Sequence, residues 1–278
     1  LLSMDYFEIN LTGFSDFDPE IVIAQLSELG FESFTEPEGG LQAYIPEENY
    51  QESTIEIYLE DISRHHGLKY TVRKIEAQNW NALWESAYEP VTIAGACTVR
   101  APFHQAVPEV KFDIVIEPRM SFGTAHHETT ALMLEFLLNE DVAGKRVLDM
   151  GCGTGVLAIL AYKMKASEVV AIDTDEWAYS NALDNMVKNN AGAVTVIQGD
   201  SSAIPKAGYH LIIANINRNV LLENIAVYAG YLEPSGTLLM SGFYEEDLEH
   251  IKSASAAAGL RYNSHKSDNR RAGVKFIK

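Results

Sequence analysis

The sequence predicts an α/β protein, a mostly parallel sheet covered by helices on both faces, preceded by a small α+β domain. Three observations carry this. From Thr129 onward, continuous apolar runs alternate with helical segments, the pattern of parallel strands buried on both faces. One run, Val147-Leu-Asp-Met150, passes directly into Gly151-Cys-Gly-Thr-Gly155 and then into a helix. The first 75 or so residues follow a separate β, α, β, α, β outline.

The elements follow in order. Met4–Leu11 alternates and reads as a strand. Asp18 before Pro19 reads as a cap and first turn, opening a helix through Ile21, Ile23, Leu26 and Leu29 that Gly30 ends. Gly39-Gly40 turns the chain into a short strand, Leu41–Ile45. Glu52–His65 puts Ile55, Tyr58, Leu59 and Ile62 on one helix face, and Leu68–Ile75 alternates again. These residues, 1–76, form the small domain. A connector follows over 77–92, with Trp80 and Trp84 on one face of a helix, Asn79–Tyr88. The large domain covers 93–278. Val91–Ile116 reads as short strands and turns. Then come a helix, Thr129–Leu138, and strands Arg146–Met150, Val169–Ile172, Val194–Ile197, Leu211–Ala214 and Thr237–Ser241. A closing antiparallel pair near Arg261–His265 and Val274–Ile277 belongs at one edge.

Composition narrows the function classes. No run of eighteen apolar residues exists to span a membrane. The opening LLSMDYFEIN lacks the basic and apolar regions of a signal peptide. The two cysteines, Cys97 and Cys152, build neither a disulfide framework nor a CxxC zinc site. The expectation is a cytoplasmic protein without a metal centre. The formal net charge is −18. That disfavours nucleic acid as a direct substrate and favours a basic protein, which the negative field would steer inward. The same charge also serves solubility. The oligomeric state is left open, a monomer being the expectation.

The glycine loop names a cofactor. In open α/β sheets, ligands sit beyond the carboxyl ends of the strands at the topological switch point. Glycines let backbone turn sharply and approach a ligand without a Cβ in the way. A dinucleotide fingerprint needs a small residue three positions after Gly153, and Val156 stands there. The pattern is GxGxG, without the close pyrophosphate seat of a dinucleotide site, so it favours S-adenosylmethionine over NAD or FAD. Asp173 closes the next strand twenty-two residues after Gly151, where a carboxylate accepts ribose hydroxyls. Asp175 is the competitor, and reads instead as the cap of a helix starting at Glu176. Asp149 either orients the loop, approaches the methionine amino group or is structural. Asp200, in Gln198-Gly-Asp-Ser-Ser202, either meets the adenine amine or caps a turn.

Three further segments carry a family resemblance. They are Ser121-Phe-Gly-Thr-Ala-His-His-Glu-Thr-Thr130, Ala214-Asn-Ile216 and Ser241-Gly-Phe243. Taken with VLDMGCGTGVLAI and AIDTD, they make the chain, from about Trp80 to its end, resemble the bacterial methyltransferases of ribosomal protein L11, the PrmA family. The resemblance implies a Rossmann-like class I methyltransferase domain with a mostly parallel seven-stranded sheet. It also implies a small ferredoxin-like substrate-recognition domain before it. The implied activity is S-adenosylmethionine-dependent trimethylation of lysine side chains and the N-terminal amine of that large-subunit ribosomal protein. The cofactor-binding residues implied are Thr130, Gly151, Asp173 and Asn215, to which the glycine loop itself adds Gly153. The chain departs from the family at Ala125, where the family has glycine, and at Glu117, where aspartate is expected. If position 125 needs a positive φ, alanine there is strained by about 1–2 kcal/mol. His126 and His127 lack the company of other ligands and read as loop or helix-entry residues. His127 matches the family's histidine, which leaves it a role in closing the loop over the cofactor.

Methyl transfer to an amine asks mainly for positioning. Asn215 is the one catalytic candidate, fixing the cofactor or accepting from the amine, and no dedicated base is expected. Ile216, Phe122 and Phe243 are candidate channel walls, with Ile216 read preferentially as core. Methylation of nucleic-acid or glutamine nitrogens is the rival activity. It is disfavoured because Asn215-Ile-Asn-Arg218 stands where those enzymes carry an Asn-Pro-Pro-Tyr type segment. A non-catalytic cofactor-binding module is a second rival, disfavoured by the intact loop and Asp173.

Overall fold

The computed structural model describes residues 5–14, 19–37, 39–75, 88–118 and 123–278. The readings of Asp18 as a cap, of the Trp80–Trp84 connector and of Phe122 lie outside these residues. The chain divides into two compact units, Leu1–Tyr88 and Glu89–Lys278.

The first unit contains β1 (Tyr6–Thr12), α1 (Pro19–Glu28), β2 (Ser33–Thr35), β3 (Gly40–Pro46), α2 (Glu52–His66) and β4 (Lys69–Ile75). Its sheet runs β2-β3-β1-β4 and is antiparallel throughout. This is the ferredoxin-like arrangement, with one strand more than the sequence outline contained. β2 has three residues at a sheet edge, too short to show alternation. In α2, Ile55, Leu59 and Ile62 are buried and meet Ile9 and Leu11 of β1 in one core. Gly67, at φ 70°, ends the helix, its N–H donating to Ser63 O. The face of α1 needs correction. Val22 and Leu26 are buried, whereas Ile21 is 48% exposed. Three consecutive β-branched residues, Ile21-Val-Ile23, give periodicity no means of choosing among them.

The second unit opens with a small sheet, β5 (Val91–Ile93), β6 (Cys97–Arg100) and β7 (Phe112–Val115). A turn at Ala94-Gly95, both with positive φ, joins the first two strands. Then follow α3 (Glu128–Leu138), β8 (Arg146–Met150), α4 (Val156–Lys163), β9 (Glu168–Asp173), α5 (Glu176–Lys188), β10 (Thr195–Gln198), β11 (Tyr209–Asn215), α6 (Arg218–Tyr231), β12 (Leu232–Tyr244), α7 (Leu248–Ala257), β13 (Arg261–Asp268) and β14 (Arg271–Ile277).

The main sheet has seven strands in the order β10-β9-β8-β11-β12-β14-β13. β8 to β12 pair in parallel, and β14 runs antiparallel to both β12 and β13. Each central strand feeds two cores. Val147, Leu211, Ile213 and Leu239 pack under α3, α4 and α5. Leu148, Ile212, Ala214, Leu238 and Met240 pack under α6 and α7. Burial on both faces explains why these strands read as continuous apolar runs. Strand order reverses at β8, between β9 on one side and β11 on the other. A crevice opens there, beyond the carboxyl ends of the strands.

Candidate active site

The loop after β8 is built from three left-handed glycines, Gly151, Gly153 and Gly155, with φ of 68°, 55° and 78°. Side chains with a Cβ resist that region. Gly151 and Cys152 donate their N–H groups to Ile172 O at 2.8 and 3.1 Å, tying the loop to the end of β9. Gly151 also admits Ile216, since a Cβ there would lie 2.1 Å from Ile216 Cγ2. Gly242 admits the Ile216 carbonyl in the same way, at 2.0 Å. Ile216 is thus wedged between the glycine loop and β12, which gives the GCG, ANI and SGF segments one shared purpose.

Asp173 stands at the end of β9. Its Oδ2 accepts from Gly153 N at 2.8 Å and its Oδ1 from Asp175 N at 3.0 Å. Asp175 caps α5, its Oδ1 accepting from Ala178 N at 2.9 Å, and Asp200 caps the short turn at Ser201–Ala203. Asp149 is fully buried. Its Oδ2 accepts from Ala158 N at 3.1 Å and anchors the start of α4. Burial pushes its carboxyl up to about 7, with the charge of Asp173 adding to the rise.

Asn215 ends β11, 9% exposed. Its Nδ2 donates to Thr130 Oγ1 at 3.3 Å. Its Oδ1 is buried with no partner among the described residues. His127 caps α3, its Nδ1 accepting from Thr129 N at 3.2 Å. His126 instead turns to Glu89 O at 2.9 Å. Ala125 has φ +68° and is 2% exposed, so the strained conformation foreseen for that position is present.

A row of asparagines holds the loop from behind. Asn181, Asn185 and Asn189 fall on the buried face of α5 and its C-terminus. Asn185 donates to Thr154 O at 2.9 Å and accepts from Glu117 N at 2.9 Å. Asn189 exchanges two hydrogen bonds with the backbone of Val115. Thr154 in turn donates to Gly123 O at 2.6 Å, joining the segment before α3 to the glycine loop.

These elements enclose a cavity of about 1620 Å³. Gly151, Gly153, Asp173 and Asn215, all singled out in the sequence, line it. Thr130 stands behind Asn215, while His127 and Thr129 are on the wall. Ile216 lines the cavity and Phe243 lies in the core under α6 and α7, the reverse of the preference drawn from sequence. Glu223, Trp177, Gly242 and Arg271 also reach the cavity. Sequence reasoning missed Glu223, Trp177 and Arg271, and nothing local to them marks them. The His-x-Thr cap was available as a signal for Thr129.

Comparison with known proteins bears on the family and the fold. The family model described as ribosomal protein L11 methyltransferase (PrmA) matches residues 21–275. The ribosomal protein L11 methyltransferase of Bacteroides fragilis is 42% identical over 261 residues, 93% of each chain. That of Chlorobaculum tepidum is 36% identical over 247 residues, 84% of this chain and 83% of the other. Among solved structures, the ribosomal protein L11 methylase of Lactobacillus delbrueckii subsp. bulgaricus aligns with a TM-score of 0.63 at 25% identity, over 68% of this chain and 98% of that one. A methyltransferase from Pyrococcus furiosus, at 18% identity and a TM-score of 0.51 over 59% of this chain and 89% of that one, shares the fold. With the family model spanning nearly the whole sequence and relatives above one-third identity over most of it, the chain belongs to the ribosomal protein L11 methyltransferase family.

Proposed function

We propose that the chain transfers methyl groups from S-adenosylmethionine to lysine ε-amines and the N-terminal amine of ribosomal protein L11. The observation that carries this is the convergence of Gly151, Gly153, Asp173 and Asn215 on one cavity, in a chain whose relatives carry that enzyme's name.

The residues fit the cofactor. Asp173 offers a carboxylate to a pair of ribose hydroxyls while keeping its two backbone donors. Gly151 and Gly153 leave backbone bare along the cavity. The unpaired buried Oδ1 of Asn215 offers an acceptor for an amine or ammonium N–H. S-adenosylmethionine, when bound, supplies a methyl group activated by its sulfonium. The chain's own residues bring a neutral amine into line. A lysine amine has a reference pKa near ~10.4, so it must shed its proton before attack. Beside the apolar stretch of wall formed by Ile216, Met150 and Gly242, reduced hydration would disfavour the ammonium. Asn215 accepts from the amine through a neutral carbonyl oxygen. A carboxylate there would stabilise the ammonium instead. Thr130 holds the other end of that amide. Positioning, without a dedicated base, supplies the catalysis. The unit Leu1–Tyr88 serves as the recognition domain.

Incubation with labelled S-adenosylmethionine and total ribosomal protein tests the reading. Label is expected in one small basic large-subunit protein, on lysine and N-terminal nitrogens. Label confined to RNA, or to glutamine, would overturn it. Asp173→Ala should raise the cofactor Kd at least tenfold, since one charge-assisted hydrogen bond is worth roughly 1.5–3 kcal/mol. A chain lacking residues 1–75 should bind cofactor and fail to label the protein.

A further inference from the structure

Trp177 is 82% exposed, yet it lines the cavity. We propose that its indole closes over the purine ring of the bound cofactor, making Trp177 a binding residue of the nucleoside end. The inference rests on the cofactor assignment above and adds a residue to it.

The placement follows from a chain of short contacts. Asp173, the ribose carboxylate, accepts from Asp175 N at 3.0 Å. Asp175 then caps α5 through Ala178 N at 2.9 Å. Trp177 lies between those two anchored positions, in the first turn of α5. Its backbone is therefore fixed relative to the carboxylate that holds the ribose. A purine is one glycosidic bond from that ribose, so it must lie along the wall nearest Asp173. That stretch of wall comprises Thr174 and Asp175 before α5, Glu176 to Ala178 in its first turn, and Gly199 to Ser201 after β10.

Three lining residues among those described carry a ring: His127, Tyr228 and Trp177. His127 caps α3, remote along the chain from the nucleoside wall. Tyr228 is 1% exposed and packs in the core under α6. Trp177, 82% exposed and next to the Asp175 cap, is the ring on the stretch of wall beside Asp173. An indole left in water forgoes the burial that a large aromatic side chain usually gains. A purine stacked on it recovers that burial, and base–aromatic stacking tolerates any base because every base has a π-face.

The test uses the full chain with S-adenosylhomocysteine and, separately, adenosine as probes in calorimetric titration. Trp177→Ala should weaken both by roughly tenfold, and Trp177→Phe should restore most of the loss. The KM for S-adenosylmethionine should rise with kcat at saturation unchanged. The melting temperature of the unliganded variant should stay at the parent value, because the side chain is largely exposed. In a Trp80→Phe/Trp84→Phe background, the Trp177 emission should shift to shorter wavelength when S-adenosylhomocysteine binds. Unaltered affinity in Trp177→Ala, or unaltered emission at saturation, overturns the proposal while leaving the cofactor assignment standing. Failure of the parent chain to bind S-adenosylhomocysteine overturns both.

Discussion

Two residues carry local conflicts that a measurement can read. Ala125 sits at φ +68° with its side chain buried, a conformation that costs an L-residue with a Cβ about 1–2 kcal/mol. Glycine removes that strain but adds unfolded-state entropy worth roughly 0.4–1 kcal/mol. Ala125→Gly should therefore raise the melting temperature by about 1–4 °C, and a scanning calorimetry trace that moves downward would count against the strain. Asp149 presents the second conflict. Its carboxyl, at about 7, lies above the value it takes in the unfolded chain, near ~3.9. Between those values the native state holds a proton that the unfolded state has released. The stability this group contributes is complete below about pH 4 and declines as pH rises toward 7. Asp149→Asn keeps an acceptor for Ala158 N–H and removes the titration. The melting temperature of the variant minus that of the parent should grow more positive from pH 5 to pH 8. A difference that is flat across this window would place the proton elsewhere.

At the scale of elements, α5 is the support of the site. Asn185 holds Thr154 of the glycine loop and the backbone of Glu117 at once. Asn185→Ala leaves two backbone groups without partners, at about 1–3 kcal/mol for each group that stays buried. The melting temperature should fall by roughly 5–15 °C, and cofactor affinity should fall with it because the loop loses its tie. An unchanged melting temperature would mean that water replaces the amide at no cost. The sequence could not disclose this support, since Asn185 and Asn189 meet residues 68 and 74 positions away, and three asparagines at helical spacing look like a solvated face. What it did disclose follows from locality. The glycines, Asp173 and the Asp175 cap lie within two consecutive strand–loop–helix units, β8 to α5, so their spacing encodes their geometry. β8, β9 and β11 were legible because burial on both faces forces continuous apolar runs. β2 was not, because three residues at a sheet edge carry no period. Phe243 and Ile216 exchanged roles because both are apolar, and only the glycines at 151 and 242 reveal which of them meets the cavity.

At the scale of the whole molecule, the net charge makes a prediction about how the proposed substrate arrives. The chain carries 39 acidic and 21 basic side chains, a formal −18. Four carboxylates, Asp175, Glu176, Asp200 and Glu223, line the cavity beside Asp173, against a lone arginine, Arg271, among the described lining residues. The proposed substrate, a basic ribosomal protein, would be drawn toward this surface over distances set by the Debye length, roughly 10 Å at 0.1 M salt and 3 Å at 1 M. Steering of this kind acts on the association rate, raising it by about 10–1000-fold at low ionic strength. The cofactor should show no comparable dependence if, as proposed, Asp173 and the glycine loop hold it through short hydrogen bonds. Raising sodium chloride from 20 to 500 mM should thus lower kcat/KM for the folded ribosomal protein by roughly tenfold or more, with kcat at saturating protein nearly constant. The Kd for S-adenosylhomocysteine should change less than twofold over the same range. A kcat/KM that ignores salt would assign the −18 to solubility alone. A cofactor affinity that tracked salt as steeply would place the carboxylates in cofactor binding instead of in substrate capture.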